Sequence, residues 1–149
     1  GVDVTGIDRP RSGTGLLDDM PDFNFLSVGL GLDKPFGEDR KNISGLIKAF
    51  CEEFKGDERV GLVLKVSLVN GSLMDFETVK DRVKQIKQMA GCGDIPKIKV
   101  IHGRMSREEL GALYRDPKVG AFVSLTHGEG YGLPILEAAA AGLPVIATN

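Results

Sequence analysis

The stretch "VGAFVSLTHGEGYGLPILEAAAAGLPVIAT", Val119–Thr148, decides the fold. It opens on Val119–Leu125, a run with almost no polar side chain, the composition of a central strand covered on both faces. A loop follows with Gly128, Gly130 and Gly132. Pro134 then stands where the first turn of a helix tolerates a missing N–H, and Gly142 where such a helix ends. "PVIAT" reads as one more strand. A strand, a glycine-rich turn, a helix and a strand in that order form one unit of a parallel sheet. The unit holds two acids, Glu129 in the glycines and Glu137 on the alanine-rich helix, with seven residues between them.

The alternation continues upstream. "FNFLSVG" (Phe23–Gly29) is a short apolar run. Ile43, Leu46, Ile47, Phe50, Cys51 and Phe54 recur at helical spacing. "GLVLKVSLV" (Gly61–Val69) is a second strand. Val79, Val83, Ile86 and Met89 mark a second helix, with Asp75 as its cap and Gly91 as its stop. "KIKVIHG" (Lys97–Gly103) is a third strand, and Ser106 with Glu109 forms a capping box opening a helix that carries Leu110, Leu113 and Tyr114. The reading is βαβαβαβαβ: an α/β, Rossmann-like doubly wound parallel sheet with helices on both faces. Residues 1–21 read as a linker or lead-in, 22–149 as the domain. The chain is expected to stop after its fifth strand, at or inside a domain edge.

Totals narrow the classes. The 149 residues, 42% hydrophobic and 27% charged, suffice for one core. A net charge of −2 argues against a general nucleic-acid binder. No apolar run approaches the ~18 residues of a membrane span, and no signal peptide is legible. Cys51 and Cys92 have no CxxC partner, and His102 and His127 have no metal-ligand spacing, so no metal site is expected. A reducing cytoplasm fits.

In an open parallel sheet, ligands bind beyond the carboxyl ends of the strands, where strand order reverses; in the common doubly wound order that point lies between the first and fourth strands. The loops there are Gly29–Asn42 and Thr126–Leu133. The glycines of the second allow close approach to the main chain, and the helix from about Pro134 presents free N–H groups suited to phosphate. The dipole contributes about 0.3–1 kcal/mol, and a hydrogen bond to a charged group about 1.5–3 kcal/mol. Arg40 and Lys41 supply cations. Glu129 and Glu137 would repel phosphate but accept hydrogen bonds from hydroxyls. A ligand with hydroxyls on both sides of its phosphates, such as a nucleoside diphosphate sugar, suits the pair. GxGxxG fails after Gly29, where the sixth position is Lys34, and after Gly130, where it is Ile135; no Walker pattern occurs. His127 reads as a backbone-bonding residue ahead of a catalytic one, His102 as structural, and Tyr131 as either packing or a stacking wall.

Glu129-Gly-Tyr-Gly-Leu-Pro-Ile-Leu-Glu137, followed by Ala-Gly-Leu-Pro-Val-Ile-Ala-Thr, resembles the E-x7-E region of group 1, GT4-like retaining glycosyltransferases of the GT-B fold. Phe25–Phe50, with "RKN", and His102–Tyr114 extend the resemblance to the family's C-terminal, donor-binding half, and Gly1–Asp3 looks like the segment entering it. The resemblance implies ribose hydroxyls at Glu137 and the transferred sugar at Glu129. It implies main-chain contacts to sugar and phosphates from Gly130, Tyr131, Gly132 and Leu133, with Gly29 at the head of the first loop and the departing diphosphate at Lys41 and Arg40. Many members carry Arg directly after the first-strand glycine, where Leu30 stands here. His102 and Gly103 fall near the base. The implied reaction moves a hexosyl unit from a nucleotide sugar to an acceptor with retention, without metal or other cofactor. The acceptor is expected mainly on an N-terminal domain outside these residues, so the fragment alone is expected to bind donor without turnover. The implied location is the cytoplasm or the cytoplasmic face of a membrane. Alternatives are a nucleotide-sugar 2-epimerase-like isomerase of the same fold and a non-catalytic nucleotide-binding domain.

Overall fold

A computed structural model describes residues 13–30, 38–67, 73–128 and 131–148. They form β1 (Phe23–Leu30), α1 (Ile43–Glu53), β2 (Val60–Ser67), α2 (Leu73–Met89), β3 (Lys97–His102), α3 (Arg107–Tyr114), β4 (Val119–Ser124), α4 (Leu133–Ala140) and β5 (Val145–Ala147). All neighbouring strands run parallel, in the order β3-β2-β1-β4-β5. The chain therefore builds outward from β1 to β3, returns, and places β4 on the other side of β1. This is the doubly wound topology, and its reversal lies between β1 and β4.

Period-two alternation sends the residues of β2 to two different cores. Leu62, Leu64 and Val66 join Ile43, Leu46, Ile47, Phe50 and Cys51 of α1 and Val79, Val83 and Ile86 of α2. Val63 joins Leu26, Phe122, Leu113 and Tyr114 of α3, and Ala138 of α4. A fully buried Leu or Ile contributes about 1.5–3 kcal/mol, so the face packing, more than helix propensity, holds these elements.

The helix ends follow their local chemistry. Ser106 Oγ accepts from the Glu109 N–H at 3.1 Å, and the Ser106 N–H donates to Glu109 Oε2 at 2.6 Å, closing the capping box. Gly91, at φ +66°, ends α2 in the left-handed conformation that glycine adopts without strain. Asp75, expected as the cap of α2, instead lies inside that helix, which starts at Leu73. The amino end of α1 is served from farther back: Asp39 Oδ2 accepts from the Ile43 N–H at 2.6 Å, while Asn42 makes no side-chain cap.

Cys51 and Cys92, distant in sequence, lie buried in the same core as free thiols. Burial and the neighbouring Cys92 thiol push the Cys51 pKa up to about 12.

Residues 1–12 of the lead-in lie outside the described residues; its second half, though irregular, is part of the packing. Leu17 and Met20 are buried in the α3/α4 core. Thr14 donates to Asp116 Oδ2 from both its N–H and its hydroxyl, at 3.0 and 2.7 Å. Lys118 Nζ donates to the carbonyls of Leu17 and Met20 at 3.1 and 2.9 Å. Lys97 Nζ donates to the Asp19 carbonyl, and Lys99 pairs with the Asp19 carboxylate and holds it below the usual carboxylate range. Among the described residues no helix is long and apolar enough to cross a membrane.

Candidate functional site

The carboxyl ends of β1 and β4 are adjacent, and the loops leaving them are bonded to each other. The Arg40 carbonyl accepts the His127 N–H at 2.8 Å. Thr126 Oγ1 lies 3.1 Å from that carbonyl and 2.9 Å from the Gly128 carbonyl, and its oxygen accepts the Gly128 N–H at 3.2 Å. The Arg40 guanidinium donates to the Gly128 carbonyl at 2.7 Å. Thr148, just past β5, adds its hydroxyl to the Thr126 carbonyl at 2.6 Å. Three loops thus meet over the reversal point, held largely by the Thr126, Arg40 and Thr148 side chains bonding to main-chain groups.

Lys41 lies over the end of β1. A β-carbon added to Gly29 would sit 3.4–3.6 Å from the Lys41 Cγ, Cδ and Cε atoms. The glycine gives the lysine stem a bare backbone to run across, which fixes where the ammonium can reach. Gly29, Arg40 and Lys41 are therefore gathered at one place, with Thr126–Gly128 beside them.

The second loop continues into α4 through Gly132, at φ +69°, and Pro134 in the first turn. A side chain at Gly132 would be strained. Tyr131 and Leu133 are exposed here. The side chain of His127 is exposed, and its bond to Arg40 comes from the main chain. Glu129 and Gly130 lie outside the described residues.

Glu137 is half-buried on α4, and its Oε2 accepts from the Tyr114 hydroxyl at 3.3 Å. Burial and the Glu137 carboxylate raise the Tyr114 pKa far above the usual phenol value, so the phenol remains a donor.

His102 and Gly103 end β3, with β2 between them and β1. The His102 ring faces α2, 5.7 Å from the ring of Phe76, and its buried Nε2 has no hydrogen-bond partner. It is on the face opposite α4. The Gly103 carbonyl, in contrast, accepts from Lys65 Nζ, which is buried in β2. Desolvation lowers the Lys65 pKa.

Three residues of this region were not singled out by the sequence reading: Asp39, Lys65 and Tyr114 as a polar group. Lys65 had a signal, a lone charge within an apolar strand. Asp39 had one too, an acid just ahead of a helical stripe. Tyr114 had none, because its partner is on another helix.

The fold and the reversal point define a Rossmann-like, doubly wound α/β domain. The family model for glycosyl transferases group 1 matches residues 37–149, and the chain belongs to that family. It is 35% identical over 118 residues to sucrose synthase 6 of Oryza sativa subsp. japonica, covering 73% of this chain and 13% of that protein. It is 30% identical over 112 residues to sucrose synthase of Melioribacter roseus, covering 73% and 14%. The chain thus spans about one seventh of the length of these relatives. The C-terminal domain of a group 1 glycosyl transferase (LpcC) from Francisella tularensis superposes with a TM-score of 0.69 at 23% identity, covering 99% of this chain and 70% of that one. The structure of trehalose-6-phosphate from E. coli bound with UDP-2-fluoro glucose superposes with a TM-score of 0.61 at 14% identity, covering 99% and 35%. The structural likenesses establish the shared GT-B half-fold.

Proposed function

We propose that the chain is the donor-binding half of a retaining, metal-independent glycosyltransferase that moves a hexosyl unit from a nucleoside diphosphate sugar to an acceptor. The observation that carries this reading is the tied pair of loops at the β1/β4 reversal. They set Lys41 over Gly29 and Arg40 against Gly128, in the loop that precedes α4 in the chain. The family, the relatives named sucrose synthases, and the structural neighbour with UDP-2-fluoro glucose support a nucleotide-sugar donor. They do not favour the isomerase alternative.

In this reading the diphosphate lies across the loops. Lys41, Arg40 and the N–H groups at the amino end of α4 offset the charge that develops as the sugar leaves; fixed donors and cations of this kind need no reorganisation during reaction. Glu137 accepts from ribose hydroxyls and Glu129 from the transferred sugar, while the main chain of Gly130–Leu133 lies along the sugar and phosphates. His102 and Gly103 stand toward the base. The acceptor binds mainly outside these residues. The free buried thiols suit a reducing cytoplasm, or its membrane face.

Calorimetric titration of the intact protein with UDP, GDP and ADP tests the reading: one should bind. Glu137→Ala should weaken it about tenfold or more, and Lys41→Met should lower turnover about 100-fold. A folded protein that binds none of the three at millimolar concentration overturns the donor site.

A further inference from the structure

We infer that Tyr114 is the positioning residue of the ribose subsite: its phenol holds the Glu137 carboxylate in the orientation that receives the nucleotide's hydroxyls. The inference rests on the donor-site reading and deepens it. Tyr114 is 2% exposed, the last residue of α3, and its ring packs on Phe122 of β4, 6.1 Å between centroids. The amino end of α3 is closed by the Ser106–Glu109 capping box. The ring therefore has little freedom, and a buried phenol must find an acceptor. The acceptor is Glu137 Oε2, on a different helix and 23 positions away in sequence.

A glutamate on a helix surface samples several rotamers, and fixing it on ligand binding costs entropy. A bond to an immobile ring meets part of that cost before the ligand arrives. An ionised carboxylate has about four acceptor positions. The phenol occupies one and leaves the others for hydroxyls. Because the raised phenol pKa keeps the proton on Tyr114, the contact persists throughout the range in which the glutamate is charged.

The test compares ribonucleoside diphosphates with their 2′,3′-dideoxy counterparts, using UDP, GDP and ADP on the intact protein. Tyr114→Phe removes only the hydroxyl. It should weaken the ribonucleotide about three- to tenfold and leave the dideoxy form unchanged, and in the Glu137→Ala background it should add no further loss. Unchanged dideoxy affinity in the same sample also shows that the variant is folded. Equal weakening of both forms, whether by local distortion or by misfolding, overturns the inference in favour of a purely structural role. Unchanged binding of both forms overturns it as well. If the wild type binds ribonucleotides, either result leaves the donor site standing. If the wild type binds no nucleotide, the donor site falls and takes this inference with it.

Discussion

The two faces of the sheet are built to different rules. On the α1/α2 face the core cluster consists of aliphatic and aromatic side chains and two thiols. On the α3/α4 face the corresponding layer admits Lys65 on β2 and the Tyr114–Glu137 pair between α3 and α4. Both faces bury leucine, valine and an aromatic ring, so neither lacks apolar cohesion. The difference lies in what each face carries at the carboxyl edge: the His102 ring against Phe76 on the α1/α2 side, Lys65 and the Tyr114–Glu137 pair on the other. In the proposed reading, the α3/α4 side is the one that meets the nucleotide.

That division can be broken experimentally. The largest expected effect is Ile47→Ala on the α1/α2 face. Ile47 is fully buried, and its truncation should cost about 2–5 kcal/mol, read as a lower urea midpoint with an unchanged slope. Nucleotide affinity of the protein that remains folded should stay near wild type. Glu137→Gln, which keeps an acceptor for the buried Tyr114 phenol, should show the reverse pattern: affinity lowered, midpoint nearly unmoved. If both variants lose both properties, the faces are not separable.

A smaller effect is expected at the amino end of α1. Asp39→Ala removes the acceptor of the Ile43 N–H and should lower stability by about 1 kcal/mol, roughly 3 °C in Tm. Asp39→Asn, which keeps an acceptor, should recover most of it. Failure of Asn to recover it would mean that the charge matters more than the cap.

The last effect is absent near neutral pH and confined to alkaline solution. The Cys51 pKa is raised from 9.0 to about 12, so from pH 9 upward the unfolded chain gives up a proton that the folded chain keeps. Stability is unaffected below pH 9 and declines as pH rises from there toward 12. Cys51→Val should flatten that decline in a series of urea midpoints, and an unaltered slope would show that another group causes it.

What the sequence revealed, and what it hid, divides along similar lines. Val119–Leu125 announced a central strand because a run without polar residues has one stable home in such a sheet. The stripe Ile43, Leu46, Ile47, Phe50, Cys51 and Phe54 placed α1; the first five are buried in it, and Phe54 is its C-cap. The position of the strand reversal followed from the alternation together with the common doubly wound strand order. Contacts within one element or loop, such as Ser106 with Glu109, were readable because their partners are three residues apart. The meeting of Cys51 with Cys92 and of Tyr114 with Glu137 was not readable, since each depends on which helices share a face. The start of α2 was misplaced at Asp75, where an acid suited to capping sits instead in the helix interior. Gly29 and Lys41 were each named, yet their stacking is a product of the fold.

The docking of the lead-in has a mechanical consequence. Its anchors, Lys97, Lys99, Asp116 and Lys118, lie at or near the amino ends of β3 and β4. The tied loops occupy the other end of β4, whose six residues span roughly 20 Å. A pull applied at Gly13 meets these anchors at the base of the sheet, a full strand length from the tied loops. Load at one end of the strands is thereby kept apart from the loops at the other.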